Sequence, residues 1–212
     1  MIFNVILLLV FLGVLGSTMR DGLWNNTIRI LNFVFAATLA TSLGEPVAKL
    51  LCSLFGAAYF YYNYLALWLV FALAYMLLHE LTRRLSQVEV KFHSQANLYG
   101  GYAASALLSF LFLSFALFAM HQAPLGEHFL FGGFDQNSRM FFGTAPDRQW
   151  HDYMSWVSRG AYSAGQGTAF DPNNDYGKRY GRFRADLQEY NETKGTTGFD
   201  AKQSGGGKYK RP

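Results

Sequence analysis

Four long stretches within the first 126 residues contain no Asp, Glu, Lys or Arg, and they constrain the fold more than any other feature. They cover residues 1–19, 30–44, 50–79 and 92–126. Water tolerates one such run as a buried core helix, but four in succession require an apolar solvent. A spanning helix needs about 20 mostly apolar residues, because backbone groups in lipid must be bonded within the segment. The sequence therefore predicts an all-α membrane protein with about four transmembrane helices, although the second run is short of that length.

The remainder of the chain is polar. Residues 127–212 hold 12 of the 18 Lys and Arg and 10 of the 14 Asp and Glu, so the mean hydropathy of +0.08 averages two unlike halves. The net charge of +4 lies mainly in this tail and in the loops, where lipid headgroups are more natural counter-ions than nucleic acid. We predict a transmembrane domain over 1–125, a soluble tail over 126–192 and a disordered terminus over 193–212.

The apolar runs and their breaks place the individual elements. We predict membrane spans over residues 2–19, 30–43, 64–78 and 98–120. Gly44-Glu45-Pro46 should end the second span, and a short interfacial helix should begin at Pro46. Residues 79–93 should form an amphipathic helix on the membrane surface, since Leu81, Leu85 and Phe92 recur at helical spacing. The result is a bundle of membrane helices with interfacial amphipathic helices and a polar C-terminal tail.

Basic residues in the connectors predict the orientation. The first and third connectors carry the pairs Arg20, Arg29 and Arg83, Arg84, whereas the second has Lys49. The positive-inside rule places the first and third connectors in the cytoplasm and both termini outside. A cleaved signal peptide is an alternative interpretation of the first run. No basic residue precedes that run, so a retained span is favoured.

The tail contains two predicted helices. Thr144-Ala145-Pro146-Asp147 is typical of a helix start, and apolar residues then recur at i, i+3, i+4 and i+7, which predicts a helix over 147–159. A second helix should cover 175–190, with tyrosines beside basic residues. We expect both to dock on the membrane face or on a partner, with a solvated surface as the alternative for the basic residues. The predicted lipid or partner contacts are Trp150, Tyr153, Lys178, Arg179, Arg182 and Arg184.

Small residues at the start of the fourth span are the candidate packing site. They are Gly100, Gly101, Ala104 and Ser105, whose four-residue spacing lets two helices approach closely. By contrast, no pattern indicates catalysis or metal binding: His79-Glu80 begins like a zinc-protease helix, but Arg83 stands where the second ligand is needed. No charged residue interrupts the centre of a span, which argues against a proton-coupled pump. We expect no enzyme activity, catalytic residue, metal or cofactor.

These features resemble the CvpA family, the colicin V production proteins. The resemblance covers about residues 1–125 and depends on the turn residues Gly16, Arg20 and Gly22, on alanines in the second helix, and on Asn97-Leu98-Tyr99-Gly100-Gly101 at the start of the fourth. The chain departs from the family in two ways: Asn97 stands where the family often has a basic residue, and the tail is longer than usual. The three named turn residues are the predicted interfacial turn.

The resemblance implies a non-catalytic accessory protein of the bacterial inner membrane, crossing it several times. It would be linked to colicin V production or export and to envelope homeostasis. The implied partners are membrane lipids and other membrane proteins or a second copy, without nucleic acid. The alternative function is a pore-forming or transporter subunit, assembled through the small residues of the fourth span.

Overall fold

The structure is a bundle of α-helices. The computed structural model describes residues 2–55, 59–86, 90, 92–124, 139–160, 170, 171 and 176. Its helices are α1 (Ile2–Thr18), α2 (Gly22–Phe55), α3 (Tyr59–Leu85), α4 (Ser94–Met120) and α5 (Pro146–Arg159). All regular secondary structure in this described part is helical, which confirms the predicted all-α class.

Three of the described helices are long and apolar enough to cross a membrane. They are α2, α3 from residue 62 onward, and α4. Helix α1 is apolar but has only 17 residues, so it extends about 25 Å, somewhat less than the hydrocarbon thickness of about 30 Å. This count agrees with the prediction of about four membrane helices.

Helix α4 is the central element, since α1, α2, α3 and α5 all contact it. The C-terminal end of α1 and the N-terminal ends of α2 and α4 meet at what we call the turn end of the bundle. Helix α3 returns to the same end, where the Asn32 amide donates to the Thr82 hydroxyl at 2.9 Å. Phe3 and Leu7 of α1 pack beside the C-terminal half of α4 at the opposite end, which we call the tail end.

The predicted break at Gly44-Glu45-Pro46 is wrong, because α2 continues through it to Phe55. A proline removes one backbone donor from a helix, and packing against a neighbouring helix can offset that loss. Here α2 lies along α3, close enough that a Cβ on Gly44 would be 3.7 Å from the Cα of Leu67. Helix α2 is therefore about 51 Å long instead of a short span followed by an interfacial helix.

The predicted surface helix over residues 79–93 is also wrong. Residues 79–85 form the last two turns of α3, and the described residues Ser86, Val90, Phe92 and His93 are not helical. The leucine spacing that suggested a separate helix belongs to the lipid-facing side of α3, where Leu77, Leu81 and Leu85 are exposed. Apolar periodicity of this kind reports a helical face but does not report where a helix begins.

The predicted tail helix over 147–159 is confirmed by α5. Its apolar side joins a hydrophobic core shared with α2, α3 and α4, which includes Phe33, Leu67, Phe115, Trp150 and Met154. The predicted helix over 175–190 lies outside the described residues except for Tyr176. Disorder from residue 193 onward and the orientation of the termini also remain predictions.

Candidate functional site

The turn between α1 and α2 is built into the start of α4. Gly22 begins α2 with φ of +75°, a left-handed conformation that glycine adopts without the steric cost of a Cβ. The side-chain oxygen of Asn97 accepts a hydrogen bond from the backbone N–H of Leu23 at 2.9 Å. The first N–H groups of a helix have no partner within the helix, so Asn97 satisfies a donor of α2 that would otherwise be unpaired. A basic residue at this position would have no acceptor to offer.

Two glycines of the facing helix α4 lie closely against this turn. A Cβ on Gly101 would lie 3.1 Å from the carbonyl carbon of Gly22, 3.2 Å from its Cα and 3.3 Å from the nitrogen of Leu23. A Cβ on Gly100 would lie 2.9 Å from the Leu23 side chain. The close approach predicted for the small residues of α4 therefore occurs, and the partner is the turn of the same chain.

A buried polar network connects the same elements. The hydroxyls of Thr18 and Ser105 are 2.6 Å apart, and Ser105 also donates to the Leu15 carbonyl at 3.1 Å. The fully buried Asn26 amide donates to the carbonyls of Thr18 at 3.0 Å and Gly101 at 3.2 Å. We call Thr18, Gly22, Asn26, Asn97, Gly101 and Ser105 together the turn junction. Its hydroxyls and amides are neutral at physiological pH, so they fix helix positions but offer no general acid or base.

The other predicted turn and packing residues lie around this junction. Ala104 is buried on α4. Gly16 and Arg20 are exposed, and a Cβ on Gly16 would meet no atom within 4 Å. Arg29 forms a salt bridge with Asp21, so the basic side chain nearest to the second span is neutralised beside the turn. Of the three residues predicted as an interfacial turn, the structure thus brings only Gly22 into the junction.

Sequence reasoning did not assign Thr18 or Asn26 to the packing site. The signal in the sequence was a polar side chain next to an apolar run, because a polar side chain at membrane depth requires a hydrogen-bond partner inside the protein. That signal says that a partner exists but does not identify it. Asn97 was noted only as a departure from a family pattern, and its role as a cap for α2 depends on a contact 74 residues away in sequence.

Two predicted contact residues of the tail, Trp150 and Tyr153, pack against the chain's own helices. Trp150, predicted to contact lipid or a partner, is only 2% exposed and lies inside the core of its own chain. Its indole N–H donates to the Thr41 hydroxyl at 3.2 Å, and its ring centroid is 5.5 Å from that of Phe115. Tyr153 is half-buried, with its hydroxyl 3.3 Å from that of Thr38. The apolar side of α5 thus finds its partners on α2 and α4. Lys178, Arg179, Arg182 and Arg184 lie outside the described residues.

Buried side-chain pairs hold the start of the tail on the end of α4. His121 Nε2 lies 3.0 Å from Asp147 Oδ2, and both side chains are less than a tenth exposed. Asp147 stands in the first turn of α5, where the helix dipole favours a carboxylate. The Gln122 amide donates to the Tyr176 hydroxyl at 3.0 Å. Within the described chain, no three His, Cys, Asp or Glu side chains are grouped as a metal site.

Comparison with known proteins assigns this architecture to a family. The colicin V production protein family matches residues 3–141, a range that contains α1 from Phe3 onward, α2 to α4 and the whole turn junction, and that ends before α5. No curated protein and no solved structure matches the chain. The match covers well over half of the sequence and agrees with the multi-pass helical architecture. The chain is therefore a membrane protein that belongs to the colicin V production protein family.

Proposed function

We propose that the protein is a non-catalytic accessory protein of the bacterial inner membrane that supports colicin V production or export and envelope homeostasis through partner proteins. Membership of the colicin V production protein family supports the link to colicin V. The turn junction supports the accessory role, because its neutral groups are buried and hydrogen-bonded to one another and to backbone carbonyls, where they position helices. In this proposal the bundle is a rigid platform whose outer helical faces meet lipid and partners.

We call Gly100, Gly101, Ala104 and Ser105 the small face of α4. The contacts of this face bear on the choice between the accessory function and the pore function. A pore assembled through this face would need Gly100, Gly101 and Ser105 at the contact between copies. In the folded chain the α1–α2 turn already covers them, with backbone atoms of Gly22 and Leu23 within van der Waals contact of a Cβ on Gly101. Helix α4, the central element, also carries no charged side chain that could serve an ion pathway. Both observations favour the accessory function.

The amount of active colicin V that cells make and release tests the proposed function. The gene would be deleted in a strain that makes colicin V, and growth-inhibition zones would be measured from culture supernatant and from lysed cells. An accessory role predicts smaller zones that the wild-type gene restores. Zones reduced only in the supernatant indicate export, and zones reduced in both indicate production. Unchanged zones from both fractions would contradict the proposal.

Flux from liposomes tests the alternative. The purified chain would be reconstituted alone, and release of trapped ions and small solutes would be compared with protein-free vesicles. We expect no protein-dependent flux. Solute-specific flux would establish the pore or transporter function instead, and the Gly101→Leu variant would then show whether that flux depends on the small face of α4.

A further inference from the structure

A cleft of about 220 Å³ lies between α2, α4 and α5, away from the turn junction. Its described walls comprise Val34 of α2, three residues of α4 and three of α5, including Phe110, Ser114, Trp150 and Tyr153. Ser114 and Trp150 are buried, whereas Val34, Phe110 and Tyr153 are partly exposed, so the cleft opens on the surface of the bundle.

The position of the walls along the helices places the cleft at membrane depth. Val34 lies about 18 Å along α2 from the turn end, and Ser114 lies about 9 Å before the end of α4, at a rise of about 1.5 Å per residue. Both positions fall within a hydrocarbon layer of about 30 Å. Helix α5 covers the side of the cleft that faces the tail end.

The residues around the mouth show which solvent it faces. Leu31 and Phe35 flank Val34 on α2 and are 52% and 49% exposed, and Leu107, one turn from Leu111 on α4, is 50% exposed. Large apolar side chains exposed around a mid-depth opening are in contact with lipid tails rather than water. The cleft is therefore a lateral opening from the bilayer.

The polar side chains of the walls already have partners, including Gln149, whose amide donates to the Thr144 carbonyl at 2.9 Å. The Ser114 hydroxyl donates to the Phe110 carbonyl at 2.8 Å. The Trp150 indole donates to Thr41, and the Tyr153 hydroxyl is paired with Thr38. The cleft consequently offers mainly hydrocarbon contacts, and a polar or charged ligand would find few partners to replace its hydration.

We propose that this cleft holds one acyl chain of a membrane phospholipid from the leaflet at the tail end. Its volume of about 220 Å³ is below the roughly 300 Å³ at which pockets for compact small molecules begin, so it takes a segment of a single chain while the remainder of that chain stays in the bilayer. Trp156 of α5 does not line the cleft and is 74% exposed, and tryptophan favours the headgroup level of a bilayer. The glycerol and headgroup would then lie beside α5 while the chain enters beneath it. This inference is independent of the role in colicin V production.

Photocrosslinking in a bilayer tests the proposal. The full chain would be reconstituted in vesicles of phosphatidylethanolamine and phosphatidylglycerol that include a phosphatidylcholine with a diazirine on one acyl chain. After irradiation, labelled positions would be mapped by mass spectrometry. We expect stronger labelling at residues 110–114 and 149–153 than at exposed Leu9 of α1. When the vesicles are diluted with unlabelled lipid shortly before irradiation, labelling of the cleft should persist.

Filling the cleft provides the matched comparison. Ser114→Phe places a ring in the cleft, and Leu111→Trp narrows its mouth without altering a buried residue, in case the first variant fails to fold. Either should reduce labelling of the cleft to the level at Leu9, whereas Leu107→Phe, beside the mouth, should leave it unchanged. Equal labelling of cleft and outer surface, or undiminished labelling in a folded cleft-filling variant, would overturn the proposal. So would cleft labelling that falls as the protein-to-lipid ratio is raised while labelling at Leu9 does not, because a second copy would then occupy the cleft.

Discussion

Replacement of Gly101 by leucine should destabilise the bundle at the turn junction. The three atoms nearest to a Cβ at this position are the carbonyl carbon and Cα of Gly22, at 3.1 and 3.2 Å, and the nitrogen of Leu23, at 3.3 Å. All three belong to the backbone, so no side chain can rotate away to make room. The start of α4 must then move away from the α1–α2 turn.

The magnitude follows from what this movement costs. Overpacking of a well-packed contact costs about 1–3 kcal/mol. The three hydrogen bonds through which Ser105 and Asn26 join α4 to α1 and α2 would weaken, at about 0.6 kcal/mol each in a membrane protein. The better helix propensity of leucine returns up to about 0.8 kcal/mol. The free energy of unfolding should therefore fall by about 2–4 kcal/mol, which lowers Tm by roughly 5–15 °C for a chain of this size.

The assay is thermal unfolding of the purified protein in a mild detergent, followed by circular dichroism. Gly16→Leu is the matched control, because Gly16 is a helical glycine on the apolar helix α1, and a Cβ at this position would meet no atom within 4 Å. We expect Gly16→Leu to unfold close to the wild type and both variants to insert normally, since leucine is favourable in lipid. If Gly101→Leu unfolded at the same temperature as Gly16→Leu, the packing argument would be refuted.

Three further outcomes are expected. Trp150→Ala should lower the free energy of unfolding by about 3–5 kcal/mol, because a large buried ring is removed. Trp156→Ala, at a side chain 74% exposed, should change it little. Equal Tm values for the two variants would contradict the docking of α5. Gly22→Ala should cost at least about 1–2 kcal/mol for the left-handed backbone, to which a clash with Asn97 is added, and a wild-type Tm would disprove that requirement. A reporter fused at Pro212 should be active only if it functions in the periplasm; activity only from a cytoplasmic reporter would reverse the predicted orientation.

Prediction from the sequence succeeded where the surrounding lipid alone determines the secondary structure. Long uncharged runs must bond their own backbone in lipid, so they form helices regardless of what they later contact. The all-helical class and the membrane helices followed from that requirement, whereas α5 followed from its helix-start signal and its apolar spacing. Where packing against a neighbour outweighs local preference, as at Pro46, prediction from the sequence failed, because a break signal acts only if no other helix stabilises the continuous form.

For the candidate site, the sequence identified several of the correct residues but not their partners. Gly101 and Ser105 were predicted to permit close approach, and Gly22 was assigned to a turn, yet nothing in the sequence joined the two observations. The apolar stripe of α5 was predicted to require a docking surface. That this surface lies on α2 and α4 of the same chain depends on contacts such as the one from Trp150 to Thr41, 109 residues away.

Composition and periodicity by themselves thus determined the solvent of this protein, its helical class and which helical faces needed a partner. These properties are local, since they depend on how each segment of about 20 residues partitions between water and lipid. Only the tertiary structure decided that the small face of α4 closes on the α1–α2 turn and that α5 covers the gap between α2 and α4. In lipid an apolar face gains little by leaving the solvent, so steric fit and hydrogen bonding select which helices meet, and both are properties of pairs of segments.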